Sequence, residues 1–298
     1  FNLLDDCWAM VETDHAKIEN YFSLADSLKT ETANAIWDQM LAMFHTLDEF
    51  EQNRPGHANF QFYACRLLRP QFQRLGWKQK PGEPADDTLL RGKIISGLGH
   101  FGDKTVIAEA KSRFEKFLTA PESLPPDLRP AVLKIVGRYS DRRAYDQIHQ
   151  LALHAHGTED RELCYNALCA ALDPNLARQT LALSLTNEAS PEEAVQLVIA
   201  VAATDGQTEL AWEFARHHLQ ELLAKVDPFS RNGYVPAIFS SFSDAARADE
   251  LESFAGKNLS EDTLAKARET AAEIRFKAAL KKRVLPSIDL WTAGHIMN

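Results

Sequence analysis

The chain has 298 residues, 45% of them hydrophobic and 25% charged, which is enough apolar material to bury a sizeable core and excludes a disordered or fibrous chain. With 33 Lys and Arg against 42 Asp and Glu, the net charge is −9, so a broad electrostatic footprint for nucleic-acid phosphates is excluded. The longest mostly apolar stretch, Ala194 to Ala203, is ten residues, half of what a spanning helix needs, so no membrane span is expected within these residues.

The chain opens on Phe1, and Leu3, Leu4, Cys7, Trp8 and Val11 already fall at helical spacing, so it is expected to be a piece of a longer polypeptide. Ile36, Met40, Phe44 and Leu47 repeat that spacing, and an aromatic set (Trp37, Phe44, Phe50, Phe60, Phe62, Tyr63) marks residues 1–85 as helical without fitting a repeat. Breaks come at Lys80 to Pro84, Pro121 to Pro126, Asp173-Pro174 and Ser190-Pro191, where proline suits a first helical turn but not an interior. Ser190-Pro191-Glu192-Glu193 has the N-cap, N1 proline and N3 acid of a helix start.

From residue 86 onward an internal repeat emerges. Arg91 precedes Asp103 by twelve residues, as Arg129 precedes Asp141 and Arg161 precedes Asp173. Ile95, Leu133 and Tyr165 stand at offset four, and Leu98, Val136 and Leu168 at offset seven, on one helical face. Each unit is read as helix, turn, helix, with the Asp capping the second helix; the Arg has no such account, since a cation in a first turn opposes the helix dipole. A weaker fourth unit is expected near Glu193, with Asp205 as its acid. Helix pairs of this length cannot bury their apolar faces alone and must stack. The expected fold is therefore all-α, an α-α superhelix of HEAT- or armadillo-like pairs, in a single domain over 1–298 that divides into 1–85 and 86–298.

Signals for chemistry are weak. Gly97-Leu98-Gly99-His100-Phe101-Gly102 has the dinucleotide-loop glycines but follows a helix rather than a strand, so it marks a closely packed helix end. His154 and His156, or His217 and His218, are too close in sequence to point at one ion from a helix, and His-Glu-x-x-His is absent. No nucleophile elbow or phosphate loop is present, so no catalytic or metal-ligating residue is expected in this chain. Cys7, Cys65, Cys164 and Cys169 form no Cys-x-x-Cys pair and read as reduced core thiols; reduced thiols would suit the cytoplasm, but no targeting segment is legible from which localisation could be read. The basic run Lys281-Lys282-Arg283, with Arg275 and Lys277, reads as the solvated C-terminus of a helix ending at Pro286, with docking to an acidic partner as the sharper alternative.

Leu128-Arg129, Gly137, Arg161, Ala167-Leu168 and Asp173, followed by Asp205 to Phe214 and the phenylalanine-rich Phe239 to Phe254, resemble the helical C-terminal domain of zinc aminopeptidases of the aminopeptidase N and puromycin-sensitive type. Leu3-Leu4-Asp5-Asp6, Glu31 and Trp37 resemble the start of that domain, so the likeness covers nearly the whole chain. The resemblance implies a parent enzyme whose separate catalytic domain carries His-Glu-x-x-His and Gly-x-Met-Glu-Asn with the zinc, while this domain encloses the peptide substrate. Neither motif occurs here. Arginines that hold a peptide C-terminus in endoplasmic-reticulum relatives align with Ala170 and Ala203, which cannot bind a carboxylate. Arg231 and Tyr234 are the candidates for lining the peptide cavity, with helix capping and packing as their simpler roles. A stand-alone HEAT-like scaffold for protein partners is the alternative reading.

Overall fold

A computed structural model describes residues 2–296. Among them are sixteen α-helices and two short 3₁₀ turns and no strand, the all-α class that the unbroken 3.6-residue period requires. The helices are α1 (Asn2–Glu12), α2 (Ile18–Ser27), α3 (Asn34–Glu51), α4 (His57–Leu75), α5 (Ala85–His100), α6 (Lys104–Thr119), α7 (Arg129–Arg138) and α8 (Arg142–Leu153). They continue as α9 (Thr158–Cys169), α10 (Pro174–Leu183), α11 (Pro191–Ala202), α12 (Thr208–His217), α13 (Leu219–Lys225), α14 (Arg231–Phe239), α15 (Ala245–Asn258) and α16 (Glu261–Ile296). Two compact units result, one of residues up to Ile135 and from Lys282 onward, the other Val136–Lys281.

The first unit is built on aromatic side chains. Trp37, Met40, Phe44 and Leu47 line one face of α3 and are all buried. Phe44 stacks on Phe60 with ring centroids 5.7 Å apart, and Phe22 meets Phe44 at 6.0 Å and Trp291 at 5.7 Å. Burying one such ring contributes about 2–3 kcal/mol, so this cluster supplies much of the unit's cohesion. Phe62 is 53% exposed, because it faces away from the stripe formed by Phe60, Tyr63 and Leu67 on α4.

The capping acids behave as their spacing predicts. Asp103 accepts from the N–H groups of Thr105 and Val106, Asp141 from Ala144, and Asp173 from Asn175, so each closes the open start of the second helix of its pair. In the fourth unit the expectation fails: Gln207 stands at the N-cap of α12, its side chain donating to the Leu172 carbonyl rather than capping the helix, and Asp205 instead pairs with Arg138. The glycine-rich end of α5 is a close approach between helices, since a Cβ on Gly99 would collide with Ile135. Gly102 has φ of 80°, the left-handed conformation that ends the helix.

The expected helix end at Pro286 is also corrected. Helix α16 runs through Pro286, although proline lacks an N–H and crowds the carbonyl four residues back. Val284, Leu285, Ile288 and Thr292 are buried on both sides of the proline, so continuous packing offsets the roughly 3 kcal/mol intrinsic cost. Several of the cations before it, though partly exposed, also bond to the chain. Arg275 pairs with Asp249 at 2.6 Å and Glu252 at 2.9 Å, Lys277 donates to the carbonyl of Ser240 at 2.7 Å, and Arg283 donates to the carbonyl of Val11 at 2.6 Å.

Candidate functional site

In the second unit the pairs α9/α10, α11/α12 and α14/α15 stack so that α9 packs on α11, α11 on α14, and α10 on α12. The first helices of the three pairs thus form a row, and that row carries two clefts. A cleft of about 1060 Å³ lies along α9 and α11, and one of about 710 Å³ along α11, α14 and the turn before α14. Both α9 and α11 present the same register to the larger cleft: Arg161, Glu162, Tyr165, Asn166 and Cys169 on one side, and Glu192, Glu193, Gln196, Leu197 and Ala200 on the other. Offsets of one, four, five and eight residues make a single helical face in each case. Close stacking at this end depends on Gly137, where a Cβ would be driven into the carbonyl oxygen of Ala167 on α9.

One connected set of polar groups in the larger cleft is committed. Glu193 completes the capping box, its Oε2 accepting from the Ser190 N–H at 2.7 Å, while its Oε1 pairs with Arg161 Nε at 2.9 Å. Arg161 also donates to the Glu188 carbonyl and lies over the Tyr165 ring, 5.4 Å from its centroid. Glu188 Oε1 accepts from the Tyr165 hydroxyl at 3.0 Å and lies 2.6 Å from His149 Nε2. Burial, followed by the hydrogen bond to Glu188, pushes the Tyr165 phenol up to about 12, so it stays a neutral donor. Glu162 and Glu192, by contrast, are exposed and make no hydrogen bond or ion pair among the described residues. Glu192 and Gln196 border both clefts.

The smaller cleft is more apolar, with Val195, Ile199, Val226 and Phe229 among its walls. Asp227 Oδ1 accepts from the N–H groups of Phe229 at 2.9 Å and Ser230 at 3.1 Å, and this tight turn displays Phe229 at 97% exposure. Hydrogen bonds from Ser230 and Phe229 hold the Asp227 carboxyl below the usual range. Tyr234 borders the cleft, but its side chain is 2% exposed and its hydroxyl is buried without a partner. Arg231 sends Nε to the carbonyl of Val226 at 3.2 Å, fixing the turn rather than projecting into the cleft.

This contact accounts for the repeated arginine that sequence spacing alone leaves unexplained. Arg129 likewise reaches five residues back, Nε to the Leu124 carbonyl at 3.4 Å, and Arg161 takes the Glu188 carbonyl. Arg91, 2% exposed, grips Glu83 through two bonds of 2.6 Å and also reaches the Leu75 carbonyl. In each case the guanidinium ties down a connecting segment whose carbonyls have no helical partner. Arg231 belongs to the same series, and Asp244, thirteen residues on, caps α15 by accepting from Ala246 N–H, so a further unit escaped the twelve-residue spacing by one residue. The paired histidines do not converge: His154 Nδ1 bonds the Gln150 carbonyl, His217 Nδ1 the Glu213 carbonyl, and His218 Nδ1 the Glu221 side chain. Ala170 and Ala203 are the C-caps of α9 and α11 and do not line the larger cleft.

Helix pairs stacked in a row, with grooves on their shared face and arginine-tied connections, define a helical-repeat domain. Residues 1–274 match the model of the ERAP1-like C-terminal domain, and the chain belongs to that family. Among its relatives, aminopeptidase M1-A of Oryza sativa subsp. japonica is 26% identical over 220 residues, covering 71% of this chain and 25% of the relative. Aminopeptidase M1 of Arabidopsis thaliana is 23% identical over 266 residues, 85% of this chain and 30% of the relative. Human glutamyl aminopeptidase is 22% identical over 264 residues, 86% of this chain and 27% of the relative. The chain therefore spans only about a quarter to a third of the length of these relatives.

Proposed function

We propose that the chain is the C-terminal part of a zinc aminopeptidase, where it packs on a catalytic domain of the same polypeptide and encloses the peptide that loses its N-terminal residue. The observation that carries this reading is the row of first helices in the second unit, whose two adjoining clefts form a grooved face long enough for several peptide residues. In this reading the helix pairs of that unit follow the α-α superhelix that the repeat implies, with the row as its inner face. Asn166, Asn187 and Gln196 offer amide groups that can match peptide N–H and C=O groups along the larger cleft. Arg231 and Tyr234 shape the smaller cleft from beneath, Arg231 by fixing the turn that carries Phe229 and Tyr234 by filling the core under it.

The zinc belongs to the proposed catalytic domain. A hydrolytic site needs three converging ligands and an open position, and His154, His217 and His218 are each turned to a partner within the chain. This chain's contribution is to hold the distal part of the peptide, since binding energy from remote contacts can lower the barrier at the reacting bond. The test is to supply the chain in trans to a soluble enzyme truncated before this region, and to compare a peptide with a single-residue aminoacyl amide. Selective recovery on the peptide supports the proposal. Equal recovery on both reduces the chain to a folding support, and absence of any association points to an independent helix-pair scaffold for protein partners.

A further inference from the structure

We infer that the larger cleft selects peptides carrying a lysine or arginine beyond their N-terminal residues, with Glu162 and Glu192 as the residues that set this preference. The inference rests on the proposed peptide-holding role and names the substrate class of that same cleft. Its charged lining comprises Glu162, Glu188, Glu192 and Glu193 against Arg161 and His156. Arg161 is spent on Glu193 and on the Glu188 carbonyl, and Glu188 is held by Tyr165 and His149. Among the acids, one carboxylate on each wall remains free: Glu162 from α9 and Glu192 from α11, one position apart in the shared register, both exposed and both without a partner among the described residues.

Two free carboxylates lining one groove favour a cation within it and disfavour an acidic side chain. Lysine and arginine suit the site in a second way, because their long apolar stems can lie on Leu197 and Ala200 while the charged head stays wet at the carboxylates. Glu192 also borders the apolar cleft of Val195, Ile199 and Phe229, so a basic residue held there would set an adjoining apolar residue against that wall. Both carboxylates are solvated, so each contributes a modest, salt-sensitive increment and the discrimination should be about three- to tenfold.

The experiment is equilibrium binding of fluorescent peptides to the chain at low ionic strength. Three nonapeptides differ only at one interior position, which is Lys, Gln or Glu. The result expected is that the Lys peptide binds about three- to tenfold more tightly than the Gln peptide and the Glu peptide more weakly still. In the double variant Glu162→Gln and Glu192→Gln this ordering should collapse while the affinity for the Gln peptide stays unchanged, and about 0.5 M salt should have the same levelling effect on the parent chain. Because both residues are exposed, the double variant is expected to fold, and its circular dichroism checks this. Equal binding of all three peptides overturns the charge preference and leaves peptide holding intact. Binding of none of them overturns both.

Discussion

Replacing Asp48 by asparagine should destabilise the first unit in a pH-dependent way whose size follows from its surroundings. The Asp48 carboxyl is 0% exposed, with Oδ1 2.9 Å from His57 Nε2 and Oδ2 3.2 Å from His100 Nε2. Burial alone would push it up; hydrogen bonds and charge from His100 and His57 outweigh burial and hold it down at about 2, against an ordinary 3.8. At about 1.4 kcal/mol per pH unit, that gap corresponds to about 2 kcal/mol of folding stability. The carboxyl is depressed in the folded state, so this stability is present above about pH 4 and is lost as the pH falls from there through about 2. Asp48→Asn should therefore cost about 2 kcal/mol at pH 6 to 7 and progressively less toward pH 2. Urea unfolding followed by tryptophan fluorescence is the assay, because Trp8, Trp37, Trp77 and Trp291 all belong to this unit and only Trp212 to the other. An equal loss at pH 7 and pH 2.5, or no loss at either, would refute the assigned role of the histidines.

Other substitutions probe the packing. Gly137→Ala places a methyl group against the carbonyl oxygen of Ala167, a backbone atom that can yield only by parting the helices, so thermal melting should show a loss of about 1–3 kcal/mol or more; an unchanged melting temperature would contradict the close approach. Asp141→Ala should lose about 0.5–2 kcal/mol and Asp141→Asn less, because asparagine still accepts the Ala144 N–H; equal losses would mean the charge rather than the cap matters. Pro286→Ala should raise stability in urea titrations by up to a few kcal/mol, by restoring a helical N–H and relieving the crowded carbonyl; a loss would show that the proline bend is needed for packing around Ile288.

The all-α class and the three capping acids were legible because both are local: a 3.6-residue period and an acid at a helix start are written within one turn of chain. The arginines were visible as a pattern but not as an interaction, since their partners are carbonyls of connecting segments, such as Glu188 for Arg161, that no spacing rule reaches. Asp205 misled for the same reason: its partner Arg138 is 67 residues away. Pro286 was read as a stop because intrinsic cost was weighed without the buried residues flanking it. At the site, Tyr234 and Arg231 were picked by residue type, whereas the free carboxylates Glu162 and Glu192 look in sequence like ordinary acids on a solvated helix face. Only the stacking of α9 on α11 turns them toward a common groove.

The central claim, that the row of first helices holds peptide, is tested most directly by photo-crosslinking. A nonapeptide with a benzophenone at an interior position would be irradiated with the chain and the labelled residues mapped by mass spectrometry. The account predicts labels concentrated on α9, α11 and the turn bearing Phe229, suppressed by unlabelled peptide. Labels confined to the second helices α10, α12 and α15, or no label that competitor removes, would contradict it.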